Sequence, residues 1–204
     1  MSPLVGVLAL QGGVREHASL LESLGARVRP VRRPADLVGL EALVLPGGES
    51  SVLDRLSRTF GLFEPMRDAI AAGLPTLGTC AGLVMLAAEV IDPAPGQQSL
   101  GLLDIGVRRN AFGAQVHSAE TMLDTELGSV HAAFIRAPEV VRVDPGVAVL
   151  ARWDEAIVAV QAGPVLGLSF HPELNGDLTF HSALLGLTGG SCPPARPTDR
   201  TALR

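Results

Sequence analysis

Lysine is absent from this 204-residue chain, whose 16 basic residues are all arginine. That excludes a phosphate-binding loop of the Gly-Lys-Ser type and a Schiff-base lysine. Aromatic residues make up only 3%, so the core must be built from Leu, Val, Ala and Ile. Cysteine occurs twice, at Cys80 and Cys192, which is no disulfide framework and points to a reducing compartment. No apolar stretch approaches the length of a membrane span, and the strand-like run from Leu4 has no basic leader before it. Positive charge is also scarce. The formal net charge is −5, and no basic stripe marks a nucleic-acid binder. These absences describe a chain expected to be cytoplasmic, with no nucleic-acid or membrane partner.

What is present is ample apolar material, 47% of the chain, enough for one domain of ordinary size. Residues 4–10 form a continuous apolar run, the pattern of a strand buried on both faces. Residues 14–24 read as a helix with Ala18, Leu21 and Leu24 on one stripe and Gly25 as its stop. A shorter, more exposed strand is expected at 27–31 and buried strands at 42–45 and 76–78, with helices at 51–59 and 63–72. The first ninety residues therefore alternate strand and helix, which implies a parallel sheet covered on both faces. The second half holds short strand-like runs at 105–108, 119–123, 131–135, 147–153, 156–161 and 165–170, separated by Gly and Pro turns. These are expected as antiparallel additions to the sheet or as a small subsidiary sheet. A helix at 177–187 closes the domain, taken as residues 1–188, and residues 189–204 read as a flexible tail containing Pro and Arg.

The chemistry concentrates around Gly78-Thr79-Cys80-Ala81-Gly82. Small residues two places on each side of a nucleophile are what a sharp strand-to-helix turn needs. The positive end of the following helix favours a thiolate, and its free N–H groups can hold an oxyanion. Alone, a cysteine in an apolar run is a small buried hydrophobe, so the reading depends on a base elsewhere. Of five histidines, His17 is expected to be solvated beside Glu16, and His117, His131 and His181 to be structural or exposed. His171 differs, because it emerges from a buried run and Pro172 holds it extended. Residues two apart then point the same way, so Glu173 can bond one imidazole nitrogen and leave the other to face a thiol. The bland alternative is a surface His–Glu pair. A third segment, Leu45-Pro46-Gly47-Gly48-Glu49-Ser50-Ser51, also follows a buried strand. Its glycines let the backbone approach a ligand, and Ser50 or Ser51 can cap the next helix. Gln11, Gly48, Cys80 and His171 would all stand at carboxyl ends of strands, the ligand-binding edge of an open α/β sheet.

Taken together these residues resemble the class I, triad-type glutamine amidotransferases, which pair a Gly-x-Cys-x-Gly with a His-Pro-Glu. Within that superfamily six segments occur in the order of the glutaminase subunits of pyridoxal 5′-phosphate synthases. They are Gly6-Val7-Leu8-Ala9-Leu10-Gln11-Gly12, Leu45 to Ser50, Gly78 to Gly82, Arg109-Asn110-Ala111-Phe112-Gly113, Phe134-Ile135-Arg136-Ala137-Pro138 and Phe170-His171-Pro172-Glu173-Leu174. The resemblance spans about residues 4 to 187. It implies an α/β, three-layer, flavodoxin-like fold with a mostly parallel sheet flanked by helices, plus antiparallel strands in the second half. It implies Cys80 as nucleophile, His171 as base and acid, and Glu173 as its orienter. Gly48, Glu49, Ser50, Arg109, Ile135 and Arg136 would contact L-glutamine, and backbone N–H groups of Gly48 and Ala81 would stabilise the oxyanion. Arg109 or Arg136 can meet the glutamine carboxylate, and Glu49 its ammonium. No cofactor or metal is implied. The implied partner is a separate synthase subunit in a hetero-oligomer, which receives the ammonia. Ala114 and Ala119 depart from residues usual in the family. The same site also fits a glutaminase serving another synthase, or a γ-glutamyl hydrolase.

Overall fold

A computed structural model describes residues 2–109 and 119–189. The expected tail from 190 onward, Cys192, His117, Ala114 and the Asn110-Ala111-Phe112-Gly113 part of the fourth segment lie outside the described residues. The parallel half is built from β1 (Leu4–Leu8), β2 (Arg27–Val31), β3 (Ala42–Leu45), β4 (Thr76–Thr79) and β12 (Val165–Leu168), in the order β2-β1-β3-β4-β12. The antiparallel half continues from β12 through β11 (Ala156–Ala162) and β10 (Ala148–Trp153) to β7 (Ala119–Thr125) and β8 (Gly128–Phe134).

Strand alternation assigns the core. In β3 every residue is buried, with Leu43 and Leu45 facing one apolar cluster and Ala42 and Val44 facing the other. The first cluster is covered by α2 (Ser50–Thr59), α3 (Phe63–Ala71) and α4 (Ala81–Leu86). The second lies under α1 (Val14–Ser23) and α5 (Thr179–Gly186). The aromatic residues are few, with Phe63 in the first cluster and Phe60 exposed. Phe134, Phe170, Phe180 and Trp153 stack in one group on the second face, with ring centroids 4.3–5.7 Å apart.

Two strands escaped the sequence reading. β5 (Ala87–Ile91) pairs with β6 (Leu103–Arg108), and β6 pairs in turn with β9 (Glu139–Val143). Both runs mix exposed and buried positions without a clean period, so only pairing identifies them. The helix after Cys80 is short, because Ala87 turns extended and enters β5.

His17 is the main correction. It is fully buried, not solvated, because the stripe of α1 that meets the sheet carries His17 and Leu21. Leu24, expected on that stripe, is only half-buried at the C-cap. The spacing Val14, His17, Leu21 carried that signal, but histidine's polarity masked it.

Candidate active site

Cys80 and His171 leave the sheet from neighbouring strands. β4 and β12 are parallel partners, with Gly78 opposite Gly167 and Thr79 opposite Leu168. The Cys80 N–H donates to the Leu168 carbonyl at 2.8 Å, and the His171 N–H donates to the Ala133 carbonyl at 2.8 Å. Two segments ninety residues apart are thus brought together at one rim, as the motif reading required. Cys80 adopts φ 49 and ψ −101, in the positive-φ region that a non-glycine residue seldom occupies. The strand-to-helix turn forces this, and it aims the thiol outward. A Cβ at Gly78 would stand 2.6 Å from Leu86 Cδ1 and 2.7 Å from the Gly82 backbone. The expectation of obligatory small residues on both sides of Cys80 is therefore met.

His171 Nδ1 lies 2.7 Å from Glu173 Oε1, and the ring shares the cavity with the Cys80 side chain, which lies near enough to raise its pKa. The carboxylate can only accept, so Nδ1 carries the proton and Nε2 faces sulfur. The contact arises differently from the expected extended segment. β12 ends at Leu168, and Pro172–Asn175 forms a 3-10 turn with Pro172 at its start. That turn, not strand alternation, folds Glu173 back under His171. Burial alone would lower the His171 pKa, but the hydrogen bonds and charges of Cys80 and Glu173 raise it to about 10. Burial likewise opposes the charge on Glu173, yet the hydrogen bond from His171 holds its carboxyl below the usual range.

A cavity of about 320 Å³ opens over Cys80, within the size range of small-molecule sites. Gly48, Glu49, Ser50, Ala81, Arg109, Ile135, Arg136 and His171 line it with Cys80. So every sequence-predicted site residue except Glu173 faces one space, and Glu173 lies buried behind His171. Val84 and Pro138 complete the wall. Both lie inside runs already read as core and turn, so their composition gave no signal.

Glu49 has a second occupation. It is the helix cap expected of Ser50 or Ser51, accepting from the N–H groups of Ser51 (3.2 Å) and Val52 (2.9 Å). Its carboxylate also accepts from the Ser51 hydroxyl and pairs with Arg109 at 2.6 Å. Burial opposes this charge, but the Ser51 and Val52 bonds and Arg109 keep the carboxyl below its ordinary range. Gln11 braces the same turn. It accepts from the Glu49 N–H and donates to the Glu49 carbonyl, both at 2.9 Å. Gly48 sits at φ 138 against this side chain, where a Cβ would stand 2.5 Å from Gln11 Oε1.

Gln97, just after the prolines Pro93 and Pro95, was not singled out from the sequence. It accepts from Arg109 at 2.8 Å and donates to the Ser50 hydroxyl at 3.1 Å. The loop is tied down by Asp54, a buried carboxylate that takes two 2.8 Å bonds from Arg58 and one at 3.0 Å from the Gln98 N–H. Of the two candidate partners for a glutamine carboxylate, Arg109 is already shared by Glu49 and Gln97. Arg136 stands exposed on the cavity wall with φ 44.

Glu173→Gln tests this electrostatic arrangement. A carboxyl whose pKa is depressed by folding stabilises the fold fully above its unfolded value, near 4.5. That contribution disappears as pH falls through the lower folded value. The variant is therefore expected to be less stable than wild type at pH 7, with the gap in urea midpoint closing below about pH 4.5. A gap independent of pH would show that the charge is not what the fold uses.

Comparison with known proteins agrees with this geometry. The SNO glutamine amidotransferase family matches residues 7–185. The chain is 57% identical over 189 residues to a pyridoxal 5′-phosphate synthase subunit PdxT of Clavibacter sepedonicus, covering 91% of this chain and 90% of that one. It is 55% identical over 194 residues to the PdxT of Cutibacterium acnes, covering 91% and 96%. A solved glutamine amidotransferase superimposes with a TM-score of 0.86 at 47% identity, over 91% of this chain and 99% of that one. PurLQS from Thermotoga maritima, only 19% identical, aligns with a TM-score of 0.67 over 91% and 99%, a likeness of fold alone. The chain belongs to the SNO glutamine amidotransferase family.

Proposed function

We propose that the chain hydrolyses L-glutamine to L-glutamate and ammonia at Cys80 and supplies the ammonia to the synthase subunit of a pyridoxal 5′-phosphate synthase. The single observation that carries the reading is the orientation of His171, bonded through Nδ1 to Glu173 and turned toward Cys80 within the cavity. Sulfur attacks the side-chain amide carbon, and a C–S bond forms as the carbonyl oxygen takes negative charge. Backbone N–H groups of Gly48 and Ala81 stabilise that charge. His171 hands the thiol proton to the amide nitrogen, the C–N bond breaks and ammonia leaves. Water then adds to the thioester carbon while His171 takes its proton, the C–S bond breaks, glutamate leaves, and His171 returns the proton to sulfur. Every step is redox-neutral and needs only groups of this site and one water.

Glutamine is held by Glu49, Ser50, Arg109, Ile135 and Arg136, with Arg136 the cation most open to its carboxylate. We place the reaction in the cytoplasm. No helix among the described residues is long and apolar enough to cross a membrane, and the PdxT relatives are synthase subunits by name. The test is ammonia release from glutamine with and without the synthase subunit. Stimulation by the partner, together with a stable complex, is the expected result. A rate indifferent to the partner, with no complex formed, would leave a glutaminase with some other acceptor.

A further inference from the structure

Below the Cys80–His171–Glu173 line lies a second layer of buried polar groups that the mechanism above does not use. Strand alternation turns Thr79, like Leu77, toward the face covered by α1 and α5. There His17 and His181, both fully buried, meet in ring contact. His17 Nδ1 is 2.8 Å from His181 Nε2. His17 Nε2 is 3.3 Å from the Thr79 hydroxyl and 3.5 Å from Glu173 Oε1. That oxygen is the one His171 reaches from the other side.

Burial keeps both rings neutral, lowering His17 and pushing His181 down to about 3. Each ring therefore has one proton to place, and His17 Nε2, which hydrogen-bonds the Thr79 hydroxyl, approaches Glu173 as a neutral ring beside a carboxylate and not as an ion pair. Glu173 accepts only, so a proton on His17 Nε2 is the arrangement in which this approach is attractive. His17 Nδ1 is then a lone pair and takes the proton on His181 Nε2. This leaves His181 Nδ1 unprotonated. It is a buried ring nitrogen with no hydrogen-bond partner, although the Asp177 backbone lies on that side. An orphaned lone pair is tolerated more readily than an orphaned N–H. The other carboxylate oxygen, Oε2, is buried with no partner. His171 is the side chain that hydrogen-bonds Glu173, and His17 is the other polar side chain that comes within 3.5 Å of the same oxygen.

We propose that His17 is a positioning residue for the Glu173 carboxylate, donating through Nε2 to the oxygen that orients His171, with His181 fixing the tautomer that lets it donate. The inference rests on the Cys80–His171–Glu173 reading and deepens it. His17 touches neither substrate nor the reacting sulfur. The charged or titratable groups around Glu173 are His171 on its own segment, His17 from α1 and, beyond His171, Cys80. Those around His17 are Glu16 on its own helix and His181 from α5, with Asp177 beside His181. Removing the His17 donor leaves a buried carboxylate with one side-chain partner, so Glu173 takes a proton at higher pH and lets His171 turn.

The test compares His17→Leu with His17→Gln in the full chain together with the synthase subunit, measuring kcat and KM for ammonia release from glutamine between pH 5 and 9. His17→Leu fills the space without a donor. It is expected to lower kcat about 10- to 100-fold, leave KM within about twofold and move the acid limb of kcat/KM to higher pH. His17→Gln keeps an N–H where Nε2 stood. It is expected to recover most of kcat and return the acid limb. If His17→Leu does not fold, His17→Asn takes its place, since its amide reaches the Nδ1 position but falls short of Glu173. Equal behaviour of the donor and non-donor variants, or an acid limb that does not move, overturns the proposal. Failure of the underlying reading looks different: Cys80→Ala would then keep its turnover, whatever His17 does.

Discussion

Cys80→Ala is expected to stop ammonia release from glutamine, lowering kcat by roughly 10⁶-fold, to the background of the solvent reaction. The size follows from the kind of step lost. Every bond made to the substrate carbon in the first half-reaction is made by this sulfur, and no other thiol lies among the described residues. Water could in principle attack instead, with His171 as base, but the site is built around a nucleophile at the tip of the β4–α4 turn. The fold itself should not notice the change. Cys80 is 8% exposed, and alanine fits both the space and the small-residue turn. Measurement is direct: a coupled assay for glutamate or ammonia, with urea unfolding to show that the variant is folded. Turnover within about tenfold of wild type, in a folded variant, would remove the thioester mechanism.

Gly82→Ala is expected to have the largest structural effect of any methyl added to a glycine among the described residues. A Cβ there would stand 2.8 Å from the Leu45 carbonyl carbon and 3.0 Å from Leu45 Cβ, and closer still to the Leu45 carbonyl oxygen. These are atoms of β3 and not the free end of a flexible side chain, so the backbone must yield. Overpacking of this kind costs about 3 kcal/mol, which for a domain of this size lowers Tm by roughly 6–12 °C. The displaced atoms immediately precede Pro46, Gly47 and Gly48. The methyl therefore also pushes the glycine turn away from Cys80. A misplacement near 1 Å at a catalytic site costs about 10²-fold in rate, so activity should fall even in the folded fraction. Gly186→Ala is the control, since nothing lies within 4 Å of the Cβ it adds. Gly82→Ala indistinguishable from that control in melting and in kcat would mean that β3 and α4 are not packed as described.

These two positions also show what could be read from residues alone. Gly78-x-Cys80-x-Gly82 carries its meaning locally. A sharp turn needs small neighbours, and the need is visible without knowing what the glycines touch. His171 and Glu173 were legible as a pair for a reason that proved different. The expected extended segment is a 3-10 turn, and proline at its first position serves that turn as well as it would serve a strand. Glu49 was legible as a site residue but not as a cap. Helix-capping preference favours the short serine side chains, whereas here the longer carboxylate reaches back to two N–H groups while pairing with Arg109. Gln97 was not legible, because a glutamine among prolines and glycines has no period or motif to mark it.

The chain's own order of residues determined the alternation of strand and helix, the parallel sheet, the cysteine turn and the rim where Cys80 and His171 emerge. All of these follow from short-range rules of period, turn chemistry and burial. Tertiary structure alone decided that His17 is buried against Glu173, that β5 and β9 join the sheet, and that Glu49 is held by Arg109. Such outcomes depend on which distant surfaces close over a side chain. A polar residue declares its place only when the partner that satisfies its hydrogen bonds has arrived.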